Sequence, residues 1–350
     1  MMKWLLIFAL AINLVGCSGG GDTNTTTTTT TPEVAINYAA LTIENIARAT
    51  ATNNFQVSDE MGSISTAVAF SPDSAFVAVG HPNRITIFSL ADTTIAPRTI
   101  NAHEGKVIEV AYSPDGTKLA SIGGDKTLKV WDVASGEAIL TITSPDDADY
   151  IRVVFSPNGE MIASASVVNS YVISVASGEI LATFTAGLLV RALAFTPDNS
   201  GLWVGAGDKT ITLWNIATGE TVRQISVANS INDMQLTPDG TRLIVANFTS
   251  PGLQIWNAET GEEIATQTVQ NTHNQVALNP DATLFIGRWS DTTMDWKWAA
   301  YNTTTAERIG VVTLYGGTIQ AFAFSPDAKA VATVGSTAGK ATLSIWRVAE

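Results

Sequence analysis

His103, Ser121 and Asp125 are the residue types of a proton relay. A working relay must open onto an accessible cleft, so the role of these three depends on the element that holds them. The chain has three histidines, His81, His103 and His273, with no two at metal-ligand spacing. It has no zinc signature, nucleophile elbow, phosphate-binding glycine loop or dinucleotide fingerprint. Asp146, Asp147 and Asp149 form the densest acidic cluster and are the candidate calcium ligands. They lack the spacing and terminal glutamate of a helix-loop-helix calcium site, so a solvent-facing charged loop is the simpler expectation. Arg288, Trp289, Trp296 and Trp298 crowd guanidinium and indole groups into one short stretch. That chemistry is favoured at the centre of interaction surfaces, and an aromatic belt around a long hairpin is the competing reading. No catalytic residue and no cofactor is assigned.

The elements that carry these residues are set by one mark repeated seven times. Ser71-Pro72-Asp73, Ser113-Pro114-Asp115, Ser156-Pro157-Asn158, Thr196-Pro197-Asp198, Thr237-Pro238-Asp239, Asn279-Pro280-Asp281 and Ser325-Pro326-Asp327 each end one apolar stretch and open another. Successive prolines lie 42, 43, 40, 41, 42 and 46 residues apart, the period of stacked units that cannot bury their hydrophobic faces alone. In the best-formed unit, Val107 to Tyr112, Leu119 to Ile122, Leu128 to Trp131 and Ile139 to Ile142 read as four short strands separated by turn residues. Proline suits the turns because its φ is fixed, and its missing N–H would break a central ladder.

From about residue 53 to the end, the chain resembles the WD-repeat β-propellers. The second unit carries the full marker set in His103, Ser121, Asp125 and Trp131-Asp132. The fourth keeps Asp208 and Trp214-Asn215, the fifth Trp256-Asn257 and the seventh Trp346-Arg347; the first has Phe88-Ser89, the sixth Tyr301-Asn302 and the third Ile173-Ser174. The resemblance implies an all-β, seven-bladed WD40-type propeller over residues 53–350. It also implies that His103, Ser121, Asp125 and Trp131 form a buried structural network in one blade, which is tolerable only if every polar group finds a partner. The last unit stops one strand short, so Asn53 to Val57 is expected to close the ring and remove its exposed edges. Residues 34–52 form a lead-in, with a short helix over Leu41 to Ala47 and Thr42 as its N-cap as one expectation and an extended segment as the competing one.

The first sixteen residues have the layout of an export signal, with Lys3 before an apolar run from Trp4 to Val15. Leu14-Val15-Gly16-Cys17 resembles the lipobox of bacterial lipoproteins. The resemblance implies cleavage before Cys17, a diacylglyceryl thioether on its sulfur and N-acylation. Cys17 is the only cysteine, so no intramolecular disulfide is possible. Residues 17–33, with the Thr25 to Thr31 run, offer little apolar area and are expected to be a flexible tether.

The net charge of −13 becomes −14 once Lys3 is removed with the leader, a sign that repels phosphate backbones and argues against nucleic-acid partners. The expected function is a non-catalytic, membrane-anchored protein-binding scaffold with a monomeric body in the bacterial cell envelope, outside the cytoplasm. Resemblance to WD-repeat proteins implies recognition across the ring faces. The alternative is an extracellular propeller enzyme acting on a small molecule or glycan, with calcium in its channel. Function is expected where the repeat is broken, in blade six and at Val167-Val168-Asn169-Ser170 of blade three.

Overall fold

Strands with β-branched and aromatic residues, punctuated by Pro, Gly and Asp, fold as antiparallel meanders. The computed structural model describes residues 38–41, 50–58, 67–250, 252–268, 275–290, 296–313, 317–337 and 340–349, all within the unit Asn37–Glu350. The leader, Cys17, the tether and residues 42–49 of the expected lead-in helix lie outside the described residues. Among the described residues there are seven sheets, six of four strands and one of five. Blade two comprises Val107–Tyr112, Lys118–Gly123, Thr127–Asp132 and Ala138–Thr143, paired in chain order. In such a meander the first and third turns of each blade lie at one end, here termed the turn face. The second turn and the link to the next blade lie at the other, the loop face.

All seven Ser-Pro-Asp-like marks occupy the first turn of a blade. The opening side chain donates to the carboxylate or amide oxygen two residues on, as Ser113 Oγ does to Asp115 at 2.5 Å and Thr237 Oγ1 to Asp239 at 2.5 Å. It also accepts the N–H five residues on, as Ser113 Oγ does from Lys118 at 2.9 Å. The hydroxyl and backbone donors around Asp115 pull its carboxyl down to about 2. The residue after the acid or amide takes positive φ in every turn: Ser74, Gly116, Gly159, Asn199, Gly240, Ala282 and Ala328. Glycine adopts that conformation without penalty, whereas alanine meets its own Cβ.

Seven apolar clusters fill the spaces between neighbouring blades. Between blades one and two, Ala78 and Ile85 pack with Val107, Val110, Leu119 and Trp131. Middle strands are therefore apolar on both sides: in Lys118–Gly123 all but the first residue are buried. Outer strands face water and read Ala138–Thr143 as mostly exposed.

The five-stranded sheet joins the chain ends. Thr50–Ser58 pairs antiparallel with the last strand, Lys340–Ala349, setting Phe55 opposite Leu343 and Asn53 opposite Ile345. This strand begins three residues before Asn53, because Lys340–Ala349 is long enough to offer partners as far as Arg347. Further along the same edge, Tyr38–Ala39 pairs with Ala349 and Val348. Leu41 then donates its N–H to the Ala328 carbonyl at 2.7 Å and is buried among Trp298, Phe322 and Trp346.

Candidate interaction surface on the loop face

Blade two closes its loop face with polar side chains that consume one another. His103 lies in the link from blade one, Ser121 on the second strand, Asp125 in the second turn and Trp131 on the third strand. His103 Nδ1 stands 2.9 Å from Asp125, and its Nε2 lies 2.8 Å from Ser121 Oγ, which also accepts the Trp131 indole N–H at 2.9 Å. Asp125 further accepts the Thr127 hydroxyl at 2.7 Å and the Glu104 N–H at 3.1 Å. Burial pushes the His103 imidazole below its ordinary range against the opposing pull of Asp125. Burial also resists ionisation of Asp125, but its donors outweigh this and hold it low. Ser121 is fully buried and Trp131 nearly so, so the four side chains clamp the link, strands and turn of the blade to one another.

Blade three builds a different clamp. Asp146, eleven residues before its turn proline as His103 is before Pro114, accepts from Ser144 at 2.7 Å, Ser166 at 2.5 Å and Asn169 at 3.1 Å. Burial opposes its ionisation, and its hydroxyl and amide donors, Tyr171 among them, prevail and hold it well below the usual carboxylate range. Asp147 instead faces Lys126 of blade two at 2.9 Å. The candidate calcium set thus splits between two tasks, and among the described residues no group of three or more His, Cys, Asp or Glu side chains could hold a metal ion.

The second turn of blade three, Val167-Val168, opens an apolar surface over blades three to five. Val167 is 44% exposed, Val168 37%, Leu188 54% and Phe248 55%. Backbone bonds tie these loops into one surface. Val190 N–H donates to the Val167 carbonyl at 2.9 Å, Gly207 N–H to Leu189 at 2.8 Å, and Phe248 N–H to Ser230 at 2.9 Å. Ser230 Oγ completes the path by donating to the Gly207 carbonyl at 2.7 Å. Within the described loop segments 166–169, 186–189, 207–209, 227–230 and 248–250, the charged residues are Asp208 and Lys209. Asp208 is partly buried and accepts the Thr210 N–H at 3.0 Å and its hydroxyl at 2.6 Å, and Lys209 is exposed. Contiguous exposed apolar area of this kind marks an interaction surface more often than scattered single residues do.

The blade-six candidates separate. Arg288 and Trp289 lie on Leu284–Ser290 and Trp296 on Trp296–Asn302, with Arg288 opposite Trp298 and Ser290 opposite Trp296; the side chains of Arg288, Trp289 and Trp296 are outside the described residues. Trp298 is not a surface residue. It is 1% exposed and packs edge-on against Trp346 at 6.2 Å between blades six and seven, because strand alternation directs it into the inter-blade core.

Comparison with known proteins agrees with this architecture. Residues 96–132 match the family described as WD domain, G-beta repeat, and residues 153–235 match the anaphase-promoting complex subunit 4 WD40 domain. The chain is 29% identical over 186 residues to periodic tryptophan protein 2 homolog of Dictyostelium discoideum, covering 51% of this chain and 20% of that protein. It is 28% identical over 150 residues to serine-threonine kinase receptor-associated protein of Gallus gallus, covering 42% of each. It is 25% identical over 162 residues to actin-interacting protein 1 of Drosophila melanogaster, covering 45% of this chain and 27% of that protein. The matches span less than half the length of each of these relatives.

Proposed function

The chain folds as a WD40-type seven-bladed β-propeller, and from that premise we propose a protein-binding scaffold that captures its partner on the apolar loop face of blades three to five. The observation that carries this reading is the exposed, nearly uncharged surface formed by Val167, Val168, Leu188 and Phe248. Two of the relatives bear names that describe association with other proteins, receptor-associated and actin-interacting. Burial of such side chains on association supplies free energy roughly in proportion to the apolar area removed from water. A photo-crosslinking residue at Phe248 or Val168 is expected to trap the same partner, and one at Lys126 in blade two is not. Equal trapping from all three positions would remove the reading.

The anchor belongs to the same proposal. Cys17 carries lipid, and the described chain enters the propeller sheet at Tyr38–Ala39 on the turn face, the face opposite Phe248. Two or three acyl chains hold a protein at a membrane essentially permanently, since each buried CH₂ contributes about 0.8 kcal/mol. Among the described residues no helix is long and apolar enough to cross a membrane. Metabolic fatty-acid labelling is expected to be lost in Cys17→Ser; labelling retained in that variant would remove the anchor and leave the loop-face proposal standing.

A further inference from the structure

The central channel holds opposite charges that are close without neutralising each other. The residue five before each turn proline marks one level of the channel: Ala67, Glu109, Arg152, Ala192, Asp233, Gln275 and Ala321. Ala67, Ala192 and Ala321 are buried, and the four polar members line one cavity. One oxygen of each acid is fixed by the next blade: Val153 N–H donates to Glu109 Oε2 at 2.6 Å and Val276 N–H to Asp233 Oδ2 at 2.9 Å. The second oxygen of Glu109 makes no hydrogen bond among the described residues, whereas Asp233 also accepts from the Met234 N–H. Arg152 donates to the Ile151 carbonyl at 3.2 Å and the Asn232 carbonyl at 3.3 Å, which leaves further guanidinium N–H groups unspent. Its charge acts on both acids, yet no direct ion pair joins them among the described residues. Burial pushes the Glu109 carboxyl up to about 7 and raises that of Asp233, with Arg152 opposing both shifts. Arg191, on the neighbouring inner strand, feels the same Arg152 charge as repulsion. A cavity of about 300 Å³ opens here, lined by Glu109, Arg152 and Asp233 together with Val154, Ala194 and Gln235.

A cavity lined by an acid with a spare acceptor and by a guanidinium with spare donors selects by charge. A simple amine meets Arg152, a simple carboxylate meets Glu109 and Asp233, and a molecule bearing both groups satisfies both sets. The volume lies at the small-ligand end of binding-site sizes. We propose that the channel is a binding site for a small zwitterion, of the class of free amino acids such as leucine or methionine, its ammonium at Glu109 and Asp233 and its carboxylate at Arg152. This site is distinct from the loop-face surface and does not depend on it.

Titration calorimetry of the full chain in detergent, with leucine, methionine, isopentylamine and 4-methylpentanoate as probes, tests the assignment. Leucine or methionine is expected to bind, and the two singly charged analogues to bind at least about tenfold more weakly, one charge-assisted contact being lost in each. Arg152→Gln and Glu109→Gln should each weaken the zwitterion by about tenfold or more. Ala194→Phe, which narrows the chamber without touching a charge, should abolish binding with the fold retained in its melting curve, and it serves if a charge variant fails to fold. No heat with either amino acid overturns the proposal, as does an analogue binding equally well or a folded Arg152→Gln protein binding undiminished.

Discussion

The two halves of the loop face share one frame and present opposite chemistries. Over blade two and its link to blade three, Glu104, Lys106, Asp125, Lys126 and Asp147 make the surface charged, and its polar groups are largely spoken for. His103, Ser121, Asp125 and Trp131 satisfy one another, and Lys126 faces Asp147 at 2.9 Å. Over blades three to five the corresponding loops carry Val167, Val168, Leu188 and Phe248, which have water as their neighbour. The difference teaches that a β-frame repeated seven times constrains the loops very little. Where a loop's polar groups are consumed internally it stabilises the blade, and where its apolar groups are left outside it can recognise a partner.

The largest expected effect breaks the charged half alone. Trp131→Ala removes a buried indole from the core between blades one and two and deprives Ser121 of a donor, which should cost about 3–5 kcal/mol in chemical denaturation. Below its melting temperature the variant should still bind the partner as wild type does. At the seam between the halves, Asp146→Ala strips three donors of their acceptor and should cost about 1–3 kcal/mol at neutral pH. Because the Asp146 pKa is depressed in the folded protein, its contribution is present above the ordinary carboxylate value and is lost as pH falls towards the folded one. The penalty of Asp146→Ala should therefore shrink in strong acid.

Glu109 in the channel titrates in the opposite sense and sharpens the contrast. Its folded pKa of about 7 lies above the ordinary 4.5, so its protonated form adds stability that is fully present below pH 4.5 and is lost as pH rises through about 7. Denaturation of wild type against Glu109→Gln should show a stability difference that declines across that window, with Arg152 and Asp233 the charged groups facing the site. The smallest effect lies on the turn face, away from both halves. Ala282→Gly relieves a positive φ of 52° and should stabilise the protein by up to about 1 kcal/mol, leaving partner binding unchanged.

The frame was legible because turn chemistry is local. Pro and Asp at fixed offsets announced seven first turns, and the apolar alternation between them announced the strands. Asp146 was harder to read because its role depends on Ser166 and Asn169, which only the folded blade brings near; its signal was the eleven-residue offset to the turn proline that it shares with His103. The channel residues carried a comparable signal, polar side chains five before a proline in otherwise apolar strands. Trp298 was misassigned because an indole in an irregular stretch looks the same in sequence whether it faces water or a neighbouring blade. Val167-Val168 stood out as a break in the repeat, whereas Leu188 and Phe248 join it only through the hydrogen bonds linking consecutive blades.

The equilibrium affinity for the partner trapped at Phe248, compared across Val168→Asp, Phe248→Asp and Lys126→Glu, tests the central claim most directly. Each apolar-to-acid change should weaken binding by about thirtyfold or more, the loss of one interface anchor, with an unchanged melting curve because both positions are exposed. Lys126→Glu, in the charged half, should change the affinity less than about threefold. Wild-type affinity in both aspartate variants, or a larger loss from Lys126→Glu than from either, would contradict it.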